Sequence, residues 1–547
     1  MLSSNSRRIL ILLFLSFVFL MFGNNFISLT NPDEVFYAGT AKEMIQQKTW
    51  LIPFLFGKPQ FEKPIFTYWL LRLGFLMFGI SNFGARLFPA LFAMLGIMAV
   101  YFFCRQIYGN SRKAFICAFI LMTSGFYIGL ARTVFTDMIF SIFILLSLGF
   151  FFLGYLNKIT KRAGILLYFV FLGFAVLTKG PLGFFIPSLV IIVFLAAKKE
   201  ISFLFCKYSI WGFLLFILVA SPWYCFMFIK FGNSFIQEFF YNDHIRRFFE
   251  AEHKGNDRWY FYPSSMVFTI FPWSIFTLAA LLSLLKRLIV KKHSNLDLFL
   301  FCWVLVFFLA FQPAHSKLVS YIFPLFPALA VMTGDFIYEA VISNKRLFRI
   351  LSLITATALL LLPLGLVWAN LKYPTYVGSW RPIYGFFVIF ITFIAAQFII
   401  LKRNSSVFPY VLACCNIIIL FFVFLYHQKF EDYLSSKHAA DYILSSCSTD
   451  SVILCSKPFV RGIRFYTNRE VAVINIGGKN FFSPHPIPFL DTEEKVTNFF
   501  QNQHNTCCVL RESSLKDLEC MIKNKYILGP VKKIGNEYIV TVQTIDH

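Results

Sequence analysis

The chain has 547 residues, of which 58% are hydrophobic, only 14% are charged and 74 are phenylalanine. A soluble domain carries about a quarter of its residues as charged side chains, so this composition excludes an ordinary soluble protein. The formal net charge of +23 would suit a nucleic-acid partner. The basic residues separate apolar stretches instead of forming one basic face, so we expect no nucleic-acid partner.

Apolar stretches that approach or reach the length needed to cross a bilayer recur along the chain. The sequence predicts thirteen membrane spans, near residues 9–28, 87–104, 113–131, 137–156, 164–178, 181–197, 209–229, 262–285, 296–312, 319–340, 347–369, 382–400 and 407–426. The first stretch would also suit a cleaved signal peptide. No small-residue cleavage pattern follows it, and we therefore interpret it as an uncleaved first helix.

Basic clusters between these stretches predict the orientation in the membrane. They contain almost no acidic residues and comprise Arg7/Arg8, Arg105/Arg112/Lys113, Lys158/Lys161/Arg162, Lys198/Lys199/Lys207, Lys286/Arg287/Lys291/Lys292, Lys345/Arg346/Arg349 and Lys402/Arg403. Lysine and arginine accumulate in cytoplasmic loops of membrane proteins. We therefore expect a cytoplasmic N-terminus and, after an odd number of spans, a C-terminal part on the outer face.

The chain divides into two predicted domains. Residues 1–426 would form a transmembrane domain with two long outer loops, 29–86 and 230–261. Residues 427–547 would form a small outer α/β domain, because a helix-like stretch precedes several β-rich runs there. This tail carries Cys447, Cys455, Cys507, Cys508 and Cys520. In an oxidising compartment one or two disulfides are expected among them.

Charged and polar residues gather on the predicted outer side. A charge at the edge of a membrane span is costly, so it normally has a partner or a task. Ion pairing is the plain alternative to function, for example Arg132 with Asp137 or Glu62 with Lys63. Carboxylates beside cations at the mouth of a membrane cavity suit a phosphate-bearing lipid substrate. The residues concerned are Asp33, Glu34, Glu62, Lys63, Arg132, Asp137, Lys179, Glu252, His253, Asp257, Arg258, Lys317 and Tyr321.

Several short motifs, taken together, carry a family resemblance over roughly residues 1–340. They include Asn31-Pro32-Asp33-Glu34-Val35-Phe36-Tyr37, Phe61-Glu62-Lys63-Pro64, Thr178-Lys179-Gly180-Pro181, Glu252-His253 and the segment from Lys317 to Pro327. In these motifs the chain resembles the bacterial aminoarabinose transferases, which modify lipid A and are related to the protein O-mannosyltransferases. The resemblance implies a GT-C type membrane glycosyltransferase, that is, a polytopic α-helical fold of about thirteen spans with a small C-terminal periplasmic α/β domain, in a bacterial inner membrane.

The resemblance also implies roles for individual residues. Asp33 would be the main catalytic carboxylate, Asp137 a second essential acid, and Lys63 a phosphate-binding catalytic residue. Lys179, Arg258 and Tyr321 would hold the polyprenyl phosphate, and we add four residues as further candidates for substrate binding: Glu34, Tyr37, Arg132 and Lys317. The family pattern has an arginine where this chain has Phe36, and this departure leaves the sugar and the acceptor open.

Two positions match zinc ligands of the family, namely Glu62 and His253. A closed structural zinc site needs four ligands, and here the protein would supply two. The resemblance therefore leaves zinc binding open, and a bound zinc is not expected to be the chemical catalyst. A hydrogen-bonded clasp between these two residues is an equal alternative. We expect no cofactor to be required for the chemistry.

The function expected from these residues is transfer of a sugar, such as 4-amino-4-deoxy-L-arabinose, from undecaprenyl phosphate to lipid A or another cell-envelope acceptor. The alternative within the same class is a protein O-glycosyltransferase. A lipid flippase or transporter would place its charges near the middle of the membrane and often shows two related halves. The sequence shows neither feature, so it favours the enzyme.

Overall fold

The computed structural model describes residues 3–246, 249–250, 256–343, 345–372, 380–403, 407–447, 451–481, 483, 485–503, 505–521 and 526–544. The helices before the C-terminal part are Ser4–Ser16 with its continuation Phe17–Met21, Asp33–Gln46, Phe66–Phe78, Asn82–Tyr108, Ser111–Met122, Gly125–Ala131, Thr136–Tyr155, Lys161–Lys179, Leu182–Lys198, Ile201–Leu204, Lys207–Phe231, Asn233–Phe235 with Ile236–Arg246, Phe261–Thr269, Ser274–Ile289, Asn295–Phe311, Val319–Leu325, Phe326–Ser343, Lys345–Ala358, Leu361–Lys372, Trp380–Arg403 and Phe408–Leu425. The C-terminal helices are His427–Leu434, Lys437–Ser446, Val460–Thr467, Glu493–Gln501 and Glu512–Met521.

Helix starts on the side of the basic clusters are capped by short polar side chains. The Asn110 side chain accepts hydrogen bonds from the backbone amides of Arg112 and Lys113. Ser294 and Asp297 form a reciprocal capping box at the helix Asn295–Phe311. Such caps satisfy backbone donors that the first helical turn leaves unpaired. These polar residues between the apolar stretches therefore fix where the two helices begin.

Each of the thirteen predicted spans overlaps a helix of the described residues, although the first helix ends at Met21 and its predicted span continued to residue 28. There, eight helices are long and apolar enough to cross a membrane, and the pair Ser111–Met122 and Gly125–Ala131 makes up to nine if counted as one span bent by 66°. The helices Leu182–Lys198 and Asn295–Phe311 and the apolar part of Trp380–Arg403 are shorter. The span predicted at 262–285 is divided into two helices, Phe261–Thr269 and Ser274–Ile289.

At the two helix breaks, polar groups without a partner in their own helix form hydrogen bonds with residues of other helices. The backbone amide of Gly125 donates to the carbonyl of Phe271 at 2.8 Å. The side chain of Asn416 donates to the Thr123 carbonyl at 2.5 Å, and the indole of Trp273 donates to the Thr123 hydroxyl at 3.1 Å. Backbone groups at membrane depth need protein partners, because lipid offers none. Sequence periodicity could not predict these breaks, since their partners come from distant helices.

The C-terminal part contains a seven-stranded sheet. Its strand order is Phe489–Leu490, Val471–Ile474, Ile453–Ser456, Asn505–Leu510, Glu537–Thr544 and Tyr526–Leu528, with Lys532–Ile534 also paired to Glu537–Thr544. The first four strands are parallel, and Glu537–Thr544 runs antiparallel to Asn505–Leu510. A separate two-stranded hairpin, Phe54–Leu55 and Lys58–Pro59, lies in the first outer loop. A disulfide joins Cys447 to Cys507, which is one of the tail pairings that the sequence left open.

Both faces of the large sheet are buried, but against different parts of the chain. Ile453 and Cys455 belong to a core that includes Val35 and Tyr68 of the first outer loop. Alternate residues such as Leu454 pack on the other face, where the helices Glu493–Gln501 and Glu512–Met521 lie. Alternation along a strand sends neighbouring side chains to opposite faces. The sheet therefore packs directly against the loop that carries the predicted catalytic residues. The domain boundary at 426/427 stays a prediction.

Candidate active site

Asp33 is the first residue of the helix Asp33–Gln46, which we call the loop helix, and its side chain is exposed. A carboxylate is favoured at a helix N-terminus by the helix dipole. The preceding residue pair is held by the C-terminal part of the chain. Asn31 donates from its backbone to the Leu434 carbonyl at 2.8 Å and from its side chain to the Ser436 hydroxyl at 2.5 Å. Asp33 is thus positioned by the C-terminal part as well as by the membrane domain.

Glu34 lies in a different environment from the one the sequence suggested. Its carboxylate is fully buried, and Arg86 donates to it twice, at 2.9 and 2.6 Å. The backbone amides of Thr30 and Val134 donate to it as well, each within 3.0 Å. Burial raises the pKa of Glu34, but the Arg86 charge and these hydrogen bonds hold the net pKa below its usual value. A carboxylate saturated by protein donors organises the loop, which gives Glu34 a structural role, and our assignment of Glu34 to substrate binding stays a prediction.

Asp137 and Lys179 form an ion pair on the facing helices, with 2.5 Å between Lys179 Nζ and Asp137 Oδ1. The alternative of ion pairing between Arg132 and Asp137 is therefore replaced by the pair of Asp137 with Lys179. The Lys179 ammonium also lies 5.1 Å from the ring centroid of Tyr321. Asp137 is buried and Lys179 is largely so. An ion pair at the mouth of a membrane domain, with an aromatic ring beside it, offers a cation to an anionic group.

Tyr37 links this pair to Asp33. Burial raises the pKa of the Tyr37 phenol well above its usual value, and the neighbouring Tyr68 raises it further. The carboxylates of Asp137 and Asp33 act in the same direction, which requires both to lie near the phenol. Tyr37 stays protonated and can donate a hydrogen bond. The structure thus brings Asp33, Tyr37, Asp137, Lys179 and Tyr321 together.

Lys63 and Glu62 lie in the same outer loop, after the small hairpin. The Lys63 ammonium donates to the carbonyl of Glu62 at 3.1 Å. Burial raises the pKa of Glu238, and the charge of Glu62 raises it further, so these two carboxylates are neighbours. His253, the second predicted zinc ligand, lies outside the described residues, as does Glu252. Within the residues that the structure describes, no group of three histidine, cysteine, aspartate or glutamate side chains is arranged to hold a metal ion.

Lys317 is buried and holds the end of the second outer loop. Its ammonium donates to the carbonyls of Asp257 at 2.7 Å and Arg258 at 3.3 Å. A buried ammonium held by backbone carbonyls fastens the second outer loop, and our assignment of Lys317 to substrate binding also stays a prediction. Arg258 itself is exposed and donates to the hydroxyl of Tyr260. Its guanidinium therefore remains accessible to solvent.

Arg132 lines a cavity on the other side of Glu34. The cavity has a volume of about 420 Å³, and Glu34 and Arg86 lie in its wall. The Arg132 guanidinium donates to the carbonyls of Phe19 and Phe22 at 3.0 and 2.6 Å. The remaining lining is mostly apolar and comes from 23–30, 125–133 and 416–434. The site therefore has an amphiphilic cavity beside its carboxylates.

Sequence reasoning missed the contribution of the C-terminal part. The guanidinium of Arg461 lies 4.7 Å from the ring centroid of Phe36, the residue at which the chain departs from the family pattern. Arg461 also contacts His485 Nε2 through two nitrogens, at 2.7 and 3.2 Å. Burial and the charge of Arg461 lower the pKa of His485 to about 3, so His485 is neutral. No local signal in the sequence links residue 461 to residue 36.

Comparisons with known proteins agree with this architecture. A family profile described as dolichyl-phosphate-mannose-protein mannosyltransferase matches residues 7–235. An uncharacterised protein of Aquifex aeolicus is 30% identical over 337 residues, which cover 61% of this chain and 65% of that protein. The undecaprenyl phosphate-alpha-4-amino-4-deoxy-L-arabinose arabinosyl transferase of Edwardsiella ictaluri is 29% identical over 330 residues, covering 60% of this chain and 58% of that protein. The matches thus span less than two thirds of the length of these relatives.

The similarity extends over the whole chain when structures are compared. The crystal structure of ArnT from Cupriavidus metallidurans bound to undecaprenyl phosphate superposes with a TM-score of 0.81 at 20% identity, covering 98% of this chain and 97% of that one. The apo structure of the same protein also gives a TM-score of 0.81. The fold is therefore a multi-pass membrane fold of the GT-C type with a small C-terminal sheet. In sequence, the chain is similar to bacterial aminoarabinose transferases and, over residues 7–235, to the protein mannosyltransferases.

Proposed function

We propose that the chain transfers a sugar from undecaprenyl phosphate to lipid A at the periplasmic face of a bacterial inner membrane. The sugar would be an amino sugar such as 4-amino-4-deoxy-L-arabinose. The observation that carries this proposal is the meeting of Asp33, Tyr37, Asp137, Lys179 and Tyr321 at one end of the membrane helices. The names of the relatives and the fold shared with ArnT support the same donor, and the acceptor rests on the family resemblance of the motifs.

The donor phosphate is proposed to bind on the side of Lys179. The Lys179 ammonium is already oriented by Asp137 and lies beside the ring of Tyr321. Lys63 and Arg258 would add cations from the two outer loops. Charge-assisted hydrogen bonds from such cations stabilise a phosphate both as a ligand and as a leaving group. A preorganised ion pair needs little rearrangement when the negative charge develops on the phosphate.

The transfer itself is proposed as a single displacement. The acceptor oxygen would bond to the anomeric carbon while the bond from that carbon to the phosphate oxygen breaks, so that undecaprenyl phosphate leaves with the bonding electron pair. Asp33, exposed at the start of the loop helix, would orient the acceptor and take its proton where it has one. A lipid A phosphate is already an anion, whereas a hydroxyl acceptor needs this base.

The acceptor is proposed to approach from the other side, through the cavity lined by Arg132. An apolar space of about 420 Å³ suits an acyl chain, and Arg132 suits a phosphate. Glu34 and Arg86 would form the partition between this cavity and the donor side. This arrangement places donor and acceptor on opposite sides of Asp33.

Zinc has no assigned step in this proposal. Glu62 is the one predicted ligand that the structure describes, and three oxygen, nitrogen or sulfur ligands are the usual minimum at a catalytic zinc. The proposed orientation, with a cytoplasmic N-terminus and a periplasmic C-terminal part, rests on the basic clusters at one end of the helices.

A protein O-glycosyltransferase is the second candidate, because the matching family profile is that of a protein mannosyltransferase. One experiment separates the two. Lipid A is analysed by mass spectrometry from cells that have the chain, lack it, or carry Asp33→Asn, with the exposed loop-helix variant Gln47→Ala as a matched control. A sugar-sized mass increment should appear with the intact chain and with Gln47→Ala only.

Two other results would count against the proposal. An increment retained at full level with a well-expressed Asp33→Asn variant would reject the role of Asp33. Unchanged lipid A in all samples, together with a glycosylated membrane protein that depends on the chain, would favour the protein glycosyltransferase.

A further inference from the structure

A second cleft lies at the opposite end of the membrane helices from the candidate active site. It is formed by three helices, Ser4–Ser16 with its continuation, Ser111–Met122 and Phe408–Leu425, and has a volume of about 460 Å³. All three helices begin at this end, on the side of the basic clusters. None of the roles considered above uses this cleft.

The three helices present matching stripes of side chains to the cleft. Spacings of three and four residues place side chains on one face of a helix. Two of the stripes begin with an arginine in the first turns and continue with apolar residues only, and the third begins with a tyrosine. The stripes are Arg8, Ile11, Leu15 and Phe19; Arg112, Phe115 and Phe119; and Tyr410, Ala413, Cys414 and Ile417. The cleft is therefore polar at its mouth and apolar along its length.

The length of the cleft corresponds to one leaflet of a bilayer. At a rise of 1.5 Å per residue, the distance along the helix from Arg8 to Phe19 is about 16 Å. The hydrocarbon core of a bilayer is about 30 Å thick, so this is roughly half of it. An acyl chain whose headgroup lies at Arg8 would thus lie alongside the whole apolar stripe.

The charges at the mouth are not neutralised by the protein. Among the described residues, Arg8 donates to the hydroxyls of Ser111 at 2.7 Å and Ser4 at 3.4 Å, and neither Arg8 nor Arg112 forms an ion pair with an acidic side chain. The adjacent Lys113, in contrast, is paired with Asp335 and Glu339.

The electrostatics of the mouth therefore favour an anion. Three helix N-termini converge there and add their partial positive charges to those of the two arginines. A ligand with a negative headgroup and an apolar chain would match both parts of the cleft.

We propose that this cleft binds an anionic glycerophospholipid from the leaflet on the N-terminal side of the membrane. The phosphate would lie between Arg8 and Arg112, and one acyl chain would lie between the three stripes. Basic pockets between membrane helices on this side are suited to anionic headgroups, with each cation near the surface contributing to the binding. The site is distinct from the sugar donor and acceptor sites, and its existence does not depend on the proposed function.

The test is native mass spectrometry of the delipidated full-length chain, titrated with phosphatidylglycerol or with phosphatidylcholine of the same acyl chains. We expect phosphatidylglycerol to bind more tightly than phosphatidylcholine. In the double variant Arg8→Gln/Arg112→Gln the preference should fall by about thirty-fold, if each cation contributes on the order of 1 kcal/mol. The matched control Arg162→Gln/Arg349→Gln removes two exposed arginines of other basic clusters and should keep the preference.

A second variant tests the apolar part independently. Leu15→Trp fills the space between the stripes without changing charge, and it should weaken the binding of both lipids. Equal binding of the two lipids by the intact chain would overturn the proposal. It would also be overturned if the control pair lost as much preference as the cleft pair, since that would indicate general surface charge, or if Leu15→Trp bound both lipids as the intact chain does.

Discussion

Removal of the Glu34 carboxylate separates a structural role from a substrate-binding role for this residue. The side chain is fully buried and paired with Arg86, which also donates to the carbonyls of Asn24, Ile27 and Ser28. In Glu34→Ala the guanidinium would stay buried without its counter-ion. Breaking a buried ion pair by removing one partner costs about 3–5 kcal/mol. This loss should fall on the segment that joins the first span to the loop helix.

The conservative variant Glu34→Gln should not rescue the segment. Five groups of Thr30, Arg86 and Val134 form hydrogen bonds with the carboxylate, and all five donate. The amide nitrogen of a glutamine would therefore face a donor, and the Arg86 charge would remain uncompensated. In contrast, Glu34→Leu combined with Arg86→Met removes both charges, so its cost should be smaller than the sum of the single changes.

Hydrogen–deuterium exchange of the full-length chain, in peptides that cover residues 24–37, measures this effect. A loss of 3–5 kcal/mol in local opening corresponds to exchange faster by roughly 10² to 5 × 10³-fold. The exposed variant Gln47→Ala, at the end of the same helix, should exchange like the intact chain. If Glu34→Gln lowered sugar transfer while the protection of 24–37 stayed unchanged, Glu34 would be a substrate residue and our structural assignment would be wrong.

Three further predictions concern other parts of the molecule. Lys179→Met should lower the rate of sugar transfer by about 10² to 10³-fold, because it removes a donor to the leaving phosphate and leaves Asp137 unpaired. Lys179→Arg should keep more activity than Lys179→Met. Equal rates for Lys179→Met and the intact chain in a transfer assay would refute this prediction. A Cβ at Gly462 would overlap the Asn31 side chain, so Gly462→Ala should displace the residues before Asp33 at a cost of about 1–3 kcal/mol and lower transfer while the sheet stays folded, as judged by circular dichroism. Burial raises the pKa of Glu537 to about 8. The stability that this protonated carboxyl contributes is complete below pH 4.5 and is lost as pH rises towards 8, by about 1.4 kcal/mol per pH unit. Compared with the intact chain, Glu537→Gln should therefore slow hydrogen exchange of its strand at pH 8 but not at pH 5.

The sequence determined the class of the protein and most of its helices. In long apolar stretches that lie in a membrane, the backbone polar groups must pair within the segment, and a helix achieves this. The length and hydropathy of these stretches were therefore sufficient to predict membrane-spanning helices. The β-rich runs of the tail were predicted for a similar reason, because alternation and strand length are local properties. The starts of some helices coincide with capping residues such as Asn110 and Ser294, which are also local features of the sequence.

The candidate site was only partly predictable. Charged residues at the outer edge of the spans identified Asp33, Asp137 and Lys179, because a charge at that depth is costly enough to be informative. Their partners were not predictable from neighbouring residues. Asp137 pairs with Lys179 rather than with the nearby Arg132, since the facing helices bring the side chains of residues 137 and 179 to within 2.5 Å.

Only the tertiary structure decided which charges are structural and which remain accessible. Glu34 and Lys317 carry the same charges as Asp33 and Lys63. Glu34, however, is buried and paired with Arg86, and the buried ammonium of Lys317 donates to two loop carbonyls. Burial and partnership depend on contacts between distant segments, and residue type does not encode them. The sequence thus determined that the chain crosses the membrane and where its charges lie. The packing of the outer loops against the C-terminal sheet decided which of those charges can meet a substrate.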